Sequence, residues 1–457
     1  MALLSTRSLT LVALSMALLL IGINSQSGWL FWLAGLLIAA LLVSWLESLL
    51  LVRNLHAERT LPPRAIEGEP LEVELRVRNG GRLARYLLAV VDADPCAEET
   101  PARFSLKSTR RSAREVLRET LAGGEDEPGE VSQEPGGPAV LLLPRLAGRE
   151  EVILRYRRGG LRRGIYRDWP LYFYSEGTLG LSRHSSRIRP ASRLEVHPSY
   201  VELSAFPFLD ALIYPWRELL PVASRGEGLD FYGVREYQPG DPLGRVHWRT
   251  TARRGDLAVR EFEAERTTRL AILLDNRGGD ADAWRARDRL DLQARVAASI
   301  AAYAFNAGCP VTLAAYRGST PAIHEAPGLQ AALGWLAALE ADGIPAPREQ
   351  LEGLLPLLPG NALVCQVMAI GSPGELPFSS SPPRGSRLAW ILVTASHGKT
   401  CNSIVGGTDA LEELLHQGQA WFPDFLEGIA VCGEGEDLRK CLENPCITCA
   451  GWRYPGK

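Results

Sequence analysis

The sequence predicts a membrane helical hairpin, a β-sandwich and a doubly wound α/β domain in one chain of 457 residues. Three observations carry this. Residues 8 to 46 form a run of 39 without a charged side chain, too long for one span of about 20 residues and suited to two. Beyond Arg59, short stretches alternate apolar and polar residues between Gly and Pro turns, as half-buried strands do. From Leu270 onward, unbroken apolar stretches alternate with amphipathic ones, the pattern of a parallel sheet covered by helices on both faces.

The hairpin is expected over residues 1–54. Asn24-Ser25-Gln26-Ser27-Gly28 divides the apolar run, and helices satisfy their own backbone groups in lipid. Trp29 and Trp32 stand where an interfacial aromatic belt belongs. The first span, about Leu9 to Ile23, is short like a signal peptide, but a second apolar span follows at once with no convincing cleavage site between. Arg7 precedes the hairpin and Arg53, Arg59 and Arg64 follow it, so positive-inside logic puts both termini in the cytoplasm.

Residues 55–200 read as the sandwich. Leu71–Val77 alternates cleanly, Asn79-Gly80 is a turn, and Leu87–Val91, Ala139–Leu143, Val152–Tyr156 and Leu171–Tyr174 are further strands. A flexible insertion at about 96–138 holds a basic, helix-compatible part (Arg103 to Arg118) and an acidic Gly/Pro-rich part. From Arg155 to Arg189, nine Arg face only Asp168 and Glu176. Such a stretch is either a face for anionic lipid headgroups or a solvated strand face. Residues 197–223 read as a linker.

The next region, 201–268, holds the densest charge. From Ser224 to Arg266 eight Arg stand against eight acids, and the chain as a whole has net charge −3. A phosphate-binding surface would be one-signed, so nucleic acid is not an expected partner. The expectation is a lattice of Arg–carboxylate pairs, braced by turns at Pro239-Gly240-Asp241 and Arg254-Gly255-Asp256 and by Phe231, Tyr237, Trp248 and Phe262. The alternative is an enzyme, hydrolase-like, with Asp241, His247, Asp256 and Glu261 as acid/base groups.

In residues 269–457, Leu270–Leu274 is a strand buried on both faces. A helix carries Leu292, Val296, Ile300 and Tyr303 on one stripe and stops at Gly308. Val311–Tyr316 is a strand, Leu329, Leu333, Leu336 and Leu339 mark a second helix, Ala362–Ile370 and Leu388–Ala395 are strands, and Asp409–His416 is a short helix. Cys432, Cys441, Cys446 and Cys449 are spaced C-x8-C-x4-C-x2-C. With only one close pair they read as coincidence in a loose tail rather than a zinc site. Cys96, Cys309, Cys365 and Cys401 stand in unrelated contexts, as reduced thiols do. No G-x-S-x-G, Walker A or H-E-x-x-H motif occurs.

The central region resembles a bacterial family known as domain of unknown function fifty-eight. The matching positions are Gly228, Asp230, Phe231, Arg235, Tyr237, Pro239, Gly240, Asp241, Arg245, Val246, Trp248, Ala252, Arg253, Leu257, Val259, Arg260, Glu261 and Glu265. Two positions depart from the family pattern: Asp230 replaces the usual Glu, and His247 stands where Asp is commoner. The resemblance implies an immunoglobulin-like sandwich closing on Arg162-Arg163-Gly164-Ile165-Tyr166 and a Gly180-Leu181 turn. It implies a von Willebrand factor A-like C-terminal domain and residence in the bacterial cytoplasmic membrane. Family members are commonly encoded beside MoxR-type AAA+ ATPases and transglutaminase-like membrane proteins, which implies an ATPase partner docking on the A-like domain. The metal motif of that fold, D-x-S-x-S, would begin at Asp275. Here Asn276-Arg277-Gly278-Gly279 follows, so both hydroxyl ligands are lost and a guanidinium takes one place. Asp280 or Asp282 are the compensating ligands available, though each serves equally as a helix N-cap. No metal or cofactor is expected, and the leading function is a non-enzymatic, membrane-anchored interaction or assembly protein.

Overall fold

The computed structural model describes residues 3–4, 6–95, 137–175, 177–213, 225–238, 244, 246–263, 268–278, 283–360, 362–369, 386–394, 426–433, 437–445 and 447–448. They fall into two compact units, Met1–Ser199 and Tyr200–Lys457.

In the first unit α1 (Thr6–Ser25) and α2 (Gly28–Leu51) are both long and apolar enough to cross a membrane. Leu30, Ala34, Ser44 and Ser48 are buried, whereas Trp29, Leu36 and Trp32 are exposed, the last at 84%. Small residues inside and bulky apolar ones outside is the inverse of a water-soluble helix pair. A short strand β1 (Leu3–Leu4) precedes them.

The strands β2 (Leu55–Thr60), β3 (Arg64–Ile66), β4 (Leu71–Asn79), β5 (Arg85–Asp92), β6 (Ala139–Leu146), β7 (Glu151–Arg158), β8 (Gly164–Arg167), β9 (Leu171–Ser175), β10 (Ser182–Ile188) and β11 (Arg193–His197) follow. They form sheets in the orders β2-β4-β7, β1-β10-β9-β5-β6 and β3-β11-β8. Alternation does the sorting: Leu71, Val73, Leu75 and Val77 point inward from β4 while Glu72, Arg76 and Arg78 stay exposed. The inward residues join Leu88, Val90, Leu143, Tyr156, Phe173 and Leu194 in one core. The insertion falls between β5 and β6, and its helix-compatible part lies outside the described residues.

At the centre of this apolar core sits a charge. Asp92 is fully buried, and its two oxygens receive four donors. Arg59 Nη2 and Trp169 Nε1 (3.0 Å) bind Oδ1; the Tyr156 hydroxyl and Arg158 Nη1 (3.2 Å) bind Oδ2. Arg158 also reaches Asp94 at 3.4 Å, and Arg59 donates to Trp169 O and Ser192 Oγ, both at 3.2 Å, with its guanidinium 4.1 Å above the Trp169 ring. Two acids and two guanidiniums cancel, and every acceptor site on Asp92 is used. Burial, reinforced by Asp92, holds the Tyr156 phenol protonated well above its ordinary range. This corrects the expectation for the Arg155–Arg189 stretch. Arg158 and Arg163 are buried, so the stretch is neither a lipid face nor a solvated one throughout.

In the second unit β14 (Arg269–Leu274), β15 (Val311–Arg317), β17 (Ala362–Ala369), β18 (Arg387–Thr394) and β19 (Leu426–Gly433) pair in parallel. Antiparallel edges β16 (Thr320–Ala326) and β20 (Ile447–Thr448) complete the order β16-β15-β14-β17-β18-β19-β20. Period two divides β14 between two cores. Leu270, Ile272 and Leu274 pack with α3 (Pro207–Ile213), α5 (Ala283–Asn306), α6 (Leu329–Ala338) and α8 (Leu438–Glu443). Ala271 and Leu273 pack with Leu351 and Leu354 of α7 (Pro347–Leu354). Helices therefore cover both faces, as the apolar strands require. Gly308 ends α5 with φ +75°. The stretch read as a linker instead supplies core: Phe206, Phe208 and Leu209 are at most 1% exposed. Pro207 takes the first helical position, where its fixed φ starts a helix rather than a loop. The short helix expected at Asp409–His416 lies outside the described residues.

Asp92→Ala leaves Arg59 and Arg158 buried without their shared counter-charge, and the expected loss is roughly 3–5 kcal/mol. Arg155→Ala removes a guanidinium 72% exposed beside Glu74, with an expected change of no more than about 0.5 kcal/mol. Chemical denaturation of the purified full chain measures both; equal midpoints would contradict the buried hub.

Candidate functional site

Two places bring together the residues singled out in the sequence. The first is a hairpin in the second unit. β12 (Arg225–Glu236) pairs antiparallel with β13 (Ala258–Glu263), Val234 opposite Arg260 and Glu236 opposite Ala258, with bulges near Phe231. Between them α4 (Trp248–Arg254) ends at Gly255, whose φ of +83° is the left-handed cap that glycine adopts without strain. The helix is tied back to β13 by His247 N to Ala258 O (2.7 Å) and Ala258 N to Thr251 Oγ1 (3.0 Å). Tyr237 N reaches Leu257 O at 2.9 Å.

Among the described side chains of this region, no charged one is buried. Val246, Ala258 and Val259 form the inner side of the hairpin. Arg253, Arg254, Asp256 and Arg260 are exposed, and Trp248 is 65% exposed. Arg235, Tyr237 and His247 are half-buried; Arg235 Nη1 donates to Glu236 O at 2.9 Å. Burial in β13 stops after Val259: Ala258 and Val259 are both buried and Arg260 faces water. Asp230 lies on β12 and Glu261 on β13, with only their backbone described. Pro239, Gly240, Asp241 and Arg245 lie outside the described residues.

The acid/base candidates do not converge where they can be placed. His247 and Asp256 flank opposite ends of α4, about 10 Å of helix apart. The His247 ring is bonded through Nδ1 to Thr250 Oγ1 at 2.7 Å.

The second place is the carboxyl end of the parallel sheet. Asp275 follows β14 and is 5% exposed. Arg277 clamps it with two hydrogen bonds, Nε to Oδ1 at 2.9 Å and Nη2 to Oδ2 at 3.0 Å. Buried Gln350 adds an Nε2 contact to Oδ1 at 3.3 Å. A bidentate guanidinium supplies the positive charge and the donors that a buried carboxylate needs. Asn276, fully buried, was not singled out in the sequence, yet it ties the end of β14 to the end of β15 and to the loop after α6. Its Nδ2 donates to Tyr316 O (2.6 Å) and Glu340 O (3.0 Å), and its Oδ1 accepts from Tyr316 N (3.2 Å). Arg277 and Gly343 form a parallel bridge, and a Cβ on Gly278 would meet Ala341 O at 2.2 Å, so only glycine fits there. The signal for this knot was the pair of glycines, readable only once the partner loop is known. Asp280 and Asp282 lie outside the described residues.

The cysteines also need correcting. Cys432 is buried in the core on β19, and Cys441 on α8 packs against that core, so neither sits in a loose tail. Cys446 and Cys449 lie outside the described residues. Burial pushes the Cys309 and Cys365 thiols up, away from thiolate chemistry.

Comparison with known proteins agrees with the motif. Residues 233–351 match the family model described as "Protein of unknown function DUF58". The uncharacterized protein YeaD of Bacillus subtilis (strain 168) is 46% identical over 48 residues, 10% of this chain and 12% of that protein's length. Among solved structures, a GH20 exo-β-N-acetylglucosaminidase from Vibrio harveyi overlaps 83% of this chain and 81% of its own at 9% identity, with a TM-score of 0.19. A cycloisomaltooligosaccharide glucanotransferase from Paenibacillus sp. overlaps 84% and 53% at 10% identity, with a TM-score of 0.14. Scores this low carry no argument about fold or chemistry.

With Arg277 seated on Asp275, Mg²⁺ in the millimolar range is expected to leave the melting temperature of the full chain unchanged. A bound ion would add RT ln(1 + [L]/Kd), about 2.7 kcal/mol at 100 Kd. A clear upward shift that disappears in Asp275→Ala would overturn this assignment.

Proposed function

We propose that this chain is a membrane-anchored, non-enzymatic interaction protein of the bacterial cytoplasmic membrane, its two units facing the cytoplasm. The observation that supports the reading most is the exposure of the central motif. Trp248, Arg253 and Arg260 are each exposed, and exposed aromatic and guanidinium groups favour protein partners. The closed Asp275–Arg277 pair supports it too, because the acid at the end of β14, where doubly wound sheets bind ligands, is engaged by the chain itself. In this reading the sheets of the first unit form an immunoglobulin-like sandwich, and the second unit is a von Willebrand factor A-like domain. The partner is the MoxR-type AAA+ ATPase that the family resemblance implies, docking on the hairpin and α4. Hydrolase-like use of Asp241, His247, Asp256 and Glu261 is the competing reading, which requires turnover that depends on His247.

The test is binding of a purified MoxR-type ATPase to the full chain in lipid nanodiscs. Trp248→Ala combined with Arg253→Ala is expected to weaken it about tenfold or more, with an unchanged melting temperature. Undiminished binding would remove this surface from the proposal.

Topology is tested by reporter fusions. A fusion at Asn24 should report the periplasm and one at Lys457 the cytoplasm. The reverse result would exclude a cytoplasmic ATPase.

A further inference from the structure

The end of the first unit nearest the helix ends presents an unusual surface. Hydrogen bonds identify which end that is. The β9–β10 turn lies against the last turns of α2. Thr178 donates its N–H and its hydroxyl to Glu47 Oε2 at 3.1 and 3.0 Å. The side chains of Ser48 and His184 share a hydrogen bond of 2.8 Å, and Trp45 meets the His184 ring edge-on at 5.9 Å between centroids. Just past α2, Arg53 O accepts from Arg85 Nη2 at 3.1 Å and Asn54 O from Gly80 N at 2.8 Å. Fully buried Asn79 then clasps two loops together, donating to Leu83 O at 2.8 Å and Ala147 O at 2.9 Å. Arg149 N adds a bond to Gly81 O at 3.0 Å, and a Cβ at Gly148 would meet Arg82 O at 2.1 Å. The β4–β5 and β6–β7 loops are thus one surface, tied to the chain as it leaves α2.

That surface offers two chemistries at once. Leu83, Leu87 and Leu179 are exposed at 65%, 54% and 51%. Arg53, Arg82 and Arg149 are exposed beside them, and the neighbouring acid Glu150 accepts from Ala147 N. Apolar loop tips set among guanidiniums match the boundary of a bilayer, where acyl chains meet phosphates. The level fits as well. The charge-free run ends at Leu46, and Arg53 follows about 10 Å further along. The headgroup layer is roughly 5–7 Å thick on each side, and a guanidinium on its aliphatic stem snorkels across the difference.

We propose that this end of the first unit rests on the anionic headgroups of the leaflet that its own helices traverse. Leu83 and Leu179 dip toward the acyl boundary, and Arg53, Arg82 and Arg149 pair with lipid phosphates. The inference rests on the membrane-anchored reading above. It adds a second, electrostatic contact that holds the unit flush against the leaflet instead of swinging from a tether.

The test is hydrogen exchange on the full chain in nanodiscs of phosphatidylcholine alone or with about one third phosphatidylglycerol. Amides of 79–87, 145–150 and 177–183 should exchange about tenfold more slowly in the anionic discs. The protection should vanish in about 1 M salt, where the Debye length shrinks to about 3 Å. Arg82→Glu with Arg149→Glu should abolish it while the β4–β7 ladder exchanges as before. Equal exchange in neutral and anionic discs, from a chain that stays in the membrane through an alkaline carbonate wash, would overturn the lipid contact alone. A chain released by that wash would overturn the anchored reading, and this inference with it.

Discussion

A carboxylate removed from water must find a cation or several donors, and each unit of this chain is arranged around one. In the first unit Asp92 gathers Arg59, Tyr156, Arg158 and Trp169. These partners come from β2, β7 and the turn before β9, so one charge fixes how the sheets meet around the apolar core. In the second unit Asp275 holds Arg277 and Gln350 at the carboxyl end of the sheet. Desolvating a lone carboxylate costs far more than any single apolar contact returns. The geometry around each acid is therefore tightly specified, whereas hydrophobic packing alone tolerates small shifts.

The two acids explain where charge is structural and where it is available for other work. The motif with eight Arg and eight acids resembles a lattice in one dimension, yet its described guanidiniums on α4 and β13 face water. The buried charge cluster is elsewhere, around Asp92, and of the arginines in the basic stretch 155–189 it takes in Arg158. Buried charge is made of few groups with many bonds each, while dense runs of mixed charge are compatible with solvation and recognition.

The sheet's carboxyl end carries the functional consequence. In a parallel sheet, strand ends and helix starts leave a crevice that ligands occupy. Here Asn276 draws the Tyr316 and Glu340 carbonyls together, and Arg277 covers the acid. The surfaces proposed to meet partners lie elsewhere: the exposed α4 hairpin in one unit, and in the other the Asn79-clasped loops beside the helix ends.

Periodicity within the sequence determined the two long apolar helices, the alternation of β4, the two-faced burial of β14 and the stripe and stop of α5. Each depends only on neighbours a few residues apart. Residue type likewise determined that no hydroxyl ligands follow Asp275. Tertiary structure decided the rest. Asp92 meets partners 33, 64, 66 and 77 residues away. Alternation along β7 separates buried Arg158 from exposed Arg155, but nothing local supplies the carboxylate that a buried guanidinium needs. Phe206 and Phe208 stand among prolines that look like a linker until a core lies beside them. Local alternation assigns a side chain to a face; only the assembled sheets decide what that face meets, because pairing over such distances leaves no period in the chain.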